Sequence, residues 1–444
     1  MIENTKGYSY NDLTIIPSVI SSISSRSHCC CWESEDFLPI WTAPMASVVS
    51  PENKWEFERN GIHTIIPRNI PLEKRIECMN ECYKSSWVAL SLKEFEDLFI
   101  THVNERTNKW YGICVDIANG HMQKLYDICL QAKTLLNDKG SYLCIMTGNI
   151  ANPDTYRYIV ENYYITDKQG RKNCIIDYIR VGIGGGSGCI TTSNVSIHYP
   201  QATLINETYL VKKDLEYDEE RIASNIYVKK YGNLPRIVAD GGIRNYDHVI
   251  KALALGADCV MIGSLFSQCI ESAGIKANKN LNQKISIRFP IERYKDFYKD
   301  DKGNWWGYYT DKFIEHALTP WQDTINYAIE KYGELDNEVF EAKEKYDNKL
   351  NDLKGEKFIG TIDVKFFGMA SADGQKSIDG EKKKTAEGIT KWLPVKYTIE
   401  GWTKNMESYL CSAMSYCDSK TLQNFIGKPT LIVNSISEIQ AVNK

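Results

Sequence analysis

The chain has 444 residues, of which 43% are hydrophobic, and a formal net charge of −4 at pH 7. This composition is typical of a globular protein with a large core, and the slightly acidic balance, with no long basic run, excludes a general nucleic-acid binder. No segment has the roughly 18 uninterrupted apolar residues of a membrane span, and the first residues lack the pattern of a secretion signal, so we expect a cytoplasmic protein with no membrane partner.

Eight short apolar segments, rich in β-branched and aromatic residues, recur along the chain and predict β-strands. Helical patterns separate many of them, for example at residues 121–136, 154–161 and 246–255. Eight β-then-α units predict an α/β fold, the (β/α)8 TIM barrel, with its functional site at the carboxyl ends of the strands. The predicted strands are residues 38–45, 62–66, 87–92, 111–117, 142–146, 177–181, 236–239 and 259–262.

A glycine-rich segment follows the sixth predicted strand and carries one cysteine, Cys189. Four of the five residues in 182–186 are glycines, so backbone N–H groups can closely approach an anion such as a phosphate. A thiol beside that anion site can act as a nucleophile at an electrophilic carbon, because such a site stabilises the thiolate. The same pattern is also typical of a tight strand-to-helix turn with an inert cysteine, and the loop alone leaves both interpretations open.

Other predicted strands also end in glycines or polar residues, which a barrel would bring to one rim. Gly241, Gly242 and Gly263 can present N–H groups to the same phosphate as residues 184–187, because barrel phosphate sites are often built after the seventh and eighth strands. Asp240 can accept hydrogen bonds from ribose hydroxyls. The strand-end segments are 116–120, 147–149, 182–189, 240–242 and 263–264.

From residue 275 to residue 360 the composition shifts towards Lys, Glu, Asp, Tyr and Trp, which predicts an insertion in the barrel. Apolar residues at 339, 342, 346, 350 and 353 follow helical spacing on a charged background and predict an amphipathic helix. We expect this segment to serve packing or subunit contact, with ligand gating or partner binding as the alternative. The predicted domains are a barrel core at 1–274, the insertion at 275–360, and a flap with the remainder of the barrel domain at 361–444.

Residues 372–389, which are rich in Gly, Lys and Asp, predict a mobile flap. Glu387 lies near the end of this segment. A carboxylate in such a place is usually only solvated, but it can also close over the mouth of a barrel and take part in the chemistry there.

Taken together, these segments resemble the IMP dehydrogenase/GMP reductase family of purine nucleotide barrels. The most specific match is Gly-Ile-Gly-Gly-Gly-Ser-Gly-Cys-Ile-Thr at residues 182–191, and the likeness covers most of the chain outside 275–360. The resemblance implies that Cys189 attacks C2 of a purine nucleoside monophosphate, GMP or IMP. It also implies that Thr191 and Glu387 move protons at the leaving group, and that the protein is a homotetramer.

The resemblance implies the other contacts of the site as well. NADPH is the expected cofactor, and K⁺ is a further expectation at the backbone carbonyls of Gly184, Gly186 and Cys189. The implied substrate-binding residues are Met45, Ser187, Asp240, Gly241, Gly242, Gly263, Ser264, Gly368, Met369, Ala370 and Gly388. The implied cofactor-binding residues are Ser25, Arg26, Arg68, Asp116, Ile117, Ala118, Ile183, Gly184 and Lys384.

The two branches of the family differ in what reaches C2 after the cysteine has attacked. In the dehydrogenase branch an Arg-Tyr pair on the flap activates water, whereas residues 372–386 here contain no Arg, Tyr or His. The segment Asp-Ile-Ala-Asn-Gly at 116–120 also resembles the reductase, in which ammonia leaves GMP and NADPH delivers hydride. We therefore expect a GMP reductase, with IMP dehydrogenase or a non-catalytic nucleotide-binding protein as the alternatives.

Several positions depart from the reductase pattern. The segments 188–191, 200–203 and 386–389 are closer to the dehydrogenase. Thr192 and Lys384 stand where reductases carry Arg, and Arg68 occupies the position of a cofactor-facing lysine. These departures bear on the NADPH contacts and on whether the substrate is GMP, dGMP or a modified guanylate.

Overall fold

The computed structural model describes residues 6–81, 86–105, 109–186, 188–216, 231–278, 294–332, 334, 337–380 and 385–435. The strands are β1 Leu13–Ile15, β2 Ile40–Thr42, β3 Thr64–Ile66, β4 Ser86–Leu90, β5 Trp110–Val115, β6 Tyr142–Ile150, β7 Tyr164–Thr166, β8 Lys172–Cys174, β9 Tyr178–Val181, β10 Tyr231–Asn233, β11 Arg236–Asp240, β12 Cys259–Ile262, β13 Lys276–Asn278, β14 Tyr294–Lys299, β15 Trp305–Tyr309, β16 Lys357–Gly360, β17 Ile362–Phe367, β18 Thr390–Pro394 and β19 Leu431–Val433. The helices are α1 Lys54–Glu58, α2 Leu72–Glu81, α3 Leu92–Glu96, α4 Gln123–Asn137, α5 Pro153–Asn162, α6 Thr191–Val195, α7 Gln201–Glu216, α8 Tyr246–Ala254, α9 Ser264–Ser267, α10 Asp311–Tyr332, α11 Asn337–Lys354, α12 Ala372–Asp379, α13 Ile399–Tyr416 and α14 Leu422–Phe425.

The chain divides into two compact units. The first comprises Met1–Ser267, Phe366–Lys391 and Ile399–Lys444, and the second comprises Gln268–Lys365 and Trp392–Thr398. In the described part of the chain, each helix is either too short or too polar to cross a bilayer.

Eight parallel strands form a barrel in the first unit, in the order β2-β12-β11-β9-β6-β5-β4-β3. The two ends of this order are joined, because the Thr42 N–H donates to the His63 carbonyl at 2.9 Å and the His63 N–H donates to the Ile40 carbonyl at 3.0 Å. Each of the eight segments predicted as strands contains or overlaps one strand of the barrel. The predicted (β/α)8 TIM barrel is therefore confirmed.

Alternate side chains of the strands point into the barrel and fill it, as the period of two along a strand requires. Trp41, Trp87 and Tyr178 pack edge to face near the beginnings of their strands, with ring centroids 5.0 to 5.5 Å apart. This aromatic packing closes one end of the barrel and leaves ligand binding to the carboxyl ends of the strands. The buried residues of this inner cluster are Trp41, Ala43, Ile65, Trp87, Ala89, Cys114, Cys144, Met146, Val238, Cys259 and Met261.

The second unit combines an antiparallel sheet with a pair of helices. Strands β14, β15 and β16 pair in that order, and the indole of Trp305 lies in their core, 1% exposed. Helix α11 is the predicted amphipathic helix, and its Val339 and Leu353 are buried. Leu353 packs against Ile314 and Leu318 of α10. The apolar side of α11 therefore packs against α10 within this unit.

Candidate active site

A cavity of about 250 Å³ opens at the carboxyl ends of the barrel strands, within the first unit. Segments that follow several strands line it, together with residues on either side of α12. This is the position at which TIM-barrel enzymes bind their ligands. The lining residues are Ala43, Pro44, Met45, Asp116, Arg180, Gly186, Gly188, Cys189, Asp240, Gly241, Gly242, Ile243, Met261, Gly263, Ser264, Phe366, Gly368, Met369, Ala370, Glu387 and Gly388.

Cys189 begins a continuous chain of hydrogen bonds beside this cavity. The Cys189 thiol donates to the Thr191 hydroxyl at 3.1 Å, and that hydroxyl donates to Oε2 of Glu387 at 3.2 Å. The Thr191 N–H also donates to the Cys189 sulfur, at 3.5 Å. The fold therefore brings together the three residues predicted to be catalytic. A proton can pass between the cysteine side of the cavity and the carboxylate through the Thr191 hydroxyl.

Main-chain hydrogen bonds hold Glu387 in this place. The Ile190 N–H donates to the Glu387 carbonyl at 3.0 Å, and the Ile389 N–H donates to the Gly188 carbonyl at 2.9 Å. The flap and the cysteine loop, which is the segment 182–190 that carries Cys189, therefore form a short antiparallel bridge. Gly388 permits this close approach, because a Cβ at that position would lie 2.9 Å from the Gly188 carbonyl oxygen. The position of the carboxylate is thus set by the backbone on both sides of it.

Helix α12 precedes this bridge, and the sequence analysis did not predict it. Ser371 caps its first turn, because the Gly374 N–H donates to Ser371 Oγ at 3.1 Å. Gly380 ends the helix with a φ of +74°, a conformation that glycine adopts without strain. The segment resembles a loop in sequence because its glycines and charged residues leave only a weak apolar pattern. Lys384 lies outside the described residues.

A buried charge network lies at the floor of the cavity, centred on Arg180. Arg180 Nη1 donates to Asp116 Oδ1 at 3.2 Å and lies 3.9 Å from Asp240 Oδ2. Arg68 Nε donates to the other oxygen of Asp116 at 3.1 Å, and Asn149 Nδ2 donates to Asp240 Oδ2 at 2.8 Å. Burial raises the pKa of Asp240, and the positive charge of Arg180 opposes this shift. The network fixes both carboxylates at the cavity.

Arg180 is the main cavity residue that the sequence analysis missed. Burial disfavours its charge, but the negative groups around it, including Asp116 and Asp240, leave the pKa of Arg180 raised. Its Nε and Nη2 atoms are buried and have no hydrogen-bond partner among the residues that the structure describes. A sequence signal existed, because a charged residue interrupts an otherwise apolar barrel strand at this position. Such a residue must find a partner or face a cavity.

The family of the chain follows from a comparison with known proteins. A family model described as the IMP dehydrogenase / GMP reductase domain matches residues 7–286, which is more than half of the chain. The chain belongs to the IMP dehydrogenase/GMP reductase family. Members of this family are oxidoreductases that act on purine nucleotides.

Curated relatives of the chain include proteins named GMP reductase. The one from Streptococcus pyogenes serotype M4 (strain MGAS10750) is 27% identical over 279 residues, which are 62% of this chain and 74% of the relative. Those from Streptococcus suis (strain 05ZYH33) and Helicobacter pylori (strain ATCC 700392 / 26695) are 26% and 25% identical over 306 residues. These alignments cover 67% of this chain and 78% and 81% of the two relatives.

The substrate-binding residues that membership of the IMP dehydrogenase/GMP reductase family predicts lie together. All of them except Ser187 line the cavity with Cys189 and Glu387, and Ser187 lies outside the described residues. Apolar side chains that the sequence analysis did not name complete the wall, and they belong to Pro44, Ile243, Met261 and Phe366. Apolar residues of these kinds are common in any protein core, so the sequence does not mark them as ligand-binding residues, and their place at the cavity is known only from the fold.

The predicted cofactor-binding residues are divided between two places. One group lies at the carboxyl ends of the barrel strands: Asp116 lines the catalytic cavity, Arg68 donates to Asp116, Ile117 and Ala118 follow β5, and Ile183 and Gly184 follow β9. Ser25 and Arg26 instead line a separate cavity of about 460 Å³ beside Tyr416. Within one chain, the structure therefore does not bring the second group to Cys189.

Proposed function

We propose that this chain is an NADPH-dependent GMP reductase, which converts GMP to IMP and ammonia through a covalent bond between Cys189 and purine C2. The observation that carries the proposal is the chain of contacts from Cys189 through Thr191 to Glu387, at 3.1 and 3.2 Å. Residues 372–386 contain no Arg, Tyr or His that could activate water instead. The relatives named GMP reductase support the same branch.

The cavity suits a purine nucleoside monophosphate. Glycine N–H groups at Gly241 and Gly263 would bind the phosphate together with Ser264, while Gly242 lines the same part of the cavity and donates its own N–H to the Gly185 carbonyl at 2.9 Å. Asp240 keeps one carboxylate oxygen for the ribose hydroxyls, because its other oxygen already accepts from Asn149. Met45 and the segment 368–370 would enclose the purine base.

The residues of the chain perform the steps at C2. The Cys189 thiolate adds to C2 of GMP, and the bond from C2 to the exocyclic amino group breaks as Glu387 delivers a proton through Thr191, so that ammonia leaves. The chemistry that bound NADPH would supply is the hydride that takes the place of the amino group. The bond from C2 to sulfur then breaks and Cys189 leaves as a thiolate. The sum is GMP, NADPH and one proton converted to IMP, NADP⁺ and ammonia.

The residues present fit a nicotinamide dinucleotide. Arg180 offers two buried N–H groups that have no partner among the described residues, and it lines the cavity beside Asp116. Arg68 brings a second positive charge to the same carboxylate, 3.1 Å away. Arg68, Asp116 and Arg180 would therefore hold the cofactor next to the substrate.

A paired assay tests the proposal. Purified protein is given GMP with NADPH, and separately IMP with NAD, and the nucleotide product and ammonia are measured in each. We expect NADPH oxidation with GMP, one ammonia for each IMP, and no turnover by Cys189→Ala, while Cys417→Ala, which changes another half-buried thiol, keeps its activity. NAD reduction with IMP alone would assign the chain to the dehydrogenase branch. GMP binding without turnover in either assay would indicate a non-catalytic protein.

A further inference from the structure

The carbonyl groups of the glycine-rich loop are held by donors from the protein itself. Four consecutive carbonyls, those of residues 183–186, each accept a hydrogen bond, and the donors come from different parts of the fold. A histidine nitrogen that faces a carbonyl must carry the proton, so His198 is one of these donors. The bonds run from His198 Nδ1 to Ile183 at 2.9 Å, from Thr192 Oγ1 to Gly184 at 3.2 Å, from Gly242 N to Gly185 at 2.9 Å, and from Cys189 N to Gly186 at 3.0 Å.

The family resemblance implies a monovalent cation at Gly184, Gly186 and Cys189, and these donors conflict with it at two of the three carbonyls, those of Gly184 and Gly186. A cation at the Gly184 carbonyl would compete with the Thr192 hydroxyl for the same oxygen. That hydroxyl lies directly over the loop, because a Cβ on Gly184, whose φ is +79°, would clash with it. Thr192 also stands where reductases of the family carry Arg. The residues present therefore do not fit a cation as the support of this loop.

We infer that Thr192 holds the cysteine loop in place of a monovalent cation, so that Cys189 is positioned without K⁺. Thr192 lies on α6, three residues after Cys189, and its hydroxyl ties the segment before the cysteine to the helix after it. It does not line the cavity and acts only through the Gly184 carbonyl, which makes it a positioning residue. When this donor is removed, the carbonyl becomes available to a cation, since carbonyl oxygens are the ligands that K⁺ accepts in proteins.

The first arm of the test uses the whole wild-type chain in a Tris buffer, with KCl or Tris chloride added to equal ionic strength. The rate at which iodoacetamide alkylates Cys189 is followed by mass spectrometry of its peptide, and the midpoint of thermal unfolding is measured in parallel. We expect K⁺ to change neither quantity. An alkylation rate or a midpoint that depends on K⁺ in the wild-type chain would overturn the inference.

The second arm removes the donor. Thr192→Val keeps the shape of the side chain but loses one hydrogen bond, so we expect Cys189 to be alkylated about fivefold faster, and K⁺ to slow it again. Thr192→Ser keeps the hydroxyl and should match the wild-type chain. Ser193→Ala is the matched control, because Ser193 lies on the same helix but donates to the Ile190 carbonyl at 3.0 Å, outside the loop. Wild-type rates for Thr192→Val in both buffers would contradict the inference, and if that variant does not fold, the wild-type and Thr192→Ser titrations still decide it.

The inference rests on the proposed function only where turnover is measured. GMP-dependent NADPH oxidation in the same two buffers should be equal for the wild-type chain and should depend on K⁺ for Thr192→Val. A chain without this oxidation would refute the proposed function, whereas alkylation and thermal unfolding would still decide the role of Thr192.

Discussion

Replacing Glu387 with Gln tests the proton path from Cys189 directly. The Thr191 hydroxyl lies 3.2 Å from the Glu387 carboxylate, and Gln keeps an acceptor oxygen there but has no proton to transfer. General acid catalysis contributes about 10²- to 10⁴-fold to a rate, and Glu387 is exposed, so water can replace part of its action. We therefore expect kcat with GMP to fall by about 10²-fold, equal to about 2.7 kcal/mol, with little change in KM.

The assay compares two substrates with different leaving groups at C2. GMP loses ammonia, which needs a proton, whereas the 2-chloro analogue of IMP loses chloride, which needs none. Glu387→Gln should be slow with GMP and close to the wild-type rate with the chloro analogue. Glu407→Gln is the control, because Glu407 accepts from the Trp32 indole at 3.1 Å instead of from Thr191. Equal losses of rate with both substrates would refute the proton path.

Three further changes follow from the same structure. Arg180→Met removes the cation that the partly buried Asp116 and Asp240 share, and only Asp116 keeps another, Arg68, so the free energy of unfolding should fall by about 3 kcal/mol in denaturant titrations and recover in part when Asp240→Asn is added; an unchanged midpoint would contradict this. Burial, with the nearby positive charge of Arg236, lowers the pKa of His63 to about 3, so between its ordinary value near 6.5 and that value the unfolded chain binds a proton that the folded chain does not. Stability should thus decrease as the pH falls, and His63→Phe should remove about 2 kcal/mol of the loss between about pH 7 and pH 5 in thermal or denaturant unfolding. Gly388→Ala should lower kcat by about 10- to 100-fold because it displaces the flap, while Gly355→Ala, whose nearest neighbouring atom lies 3.6 Å from the added Cβ, should not.

The barrel could be predicted because each of its strands and helices leaves a recognisable pattern within a short stretch of sequence. Buried parallel strands appear as short apolar runs, and eight such runs with helices between them leave few other folds. The active-site chemistry could be predicted because Cys189, Thr191 and Glu387 belong to short motifs with distinctive residue types. Their contact across 196 positions in sequence depends on tertiary structure, and only the family resemblance pointed to it.

The residues that escaped prediction depend on distant partners. Arg180 is a single charged residue in a strand. Its role as the ion-pair partner of Asp116 and Asp240 is evident only in the folded chain, where these residues lie next to it. Helix α12 depends on a cap at Ser371 and a left-handed end at Gly380, which local apolar periodicity does not report. Ser25 and Arg26 remain predicted cofactor residues, and within one chain they line a separate cavity, a position that their motif does not report.

The choice between the two branches of the family rests on residues that only one branch uses. The sequence of segment 188–191 resembles the dehydrogenase. It carries Cys189 and Thr191, which both reactions need, so this similarity does little to distinguish the two branches. The flap base serves the hydrolytic branch alone, and residues 372–386 contain neither Arg nor Tyr. After ammonia has left, Glu387 is a carboxylate, and carboxylates are weak bases towards water. We therefore expect hydrolysis of the cysteine adduct to be slow relative to hydride transfer, which supports the proposed reductase reaction.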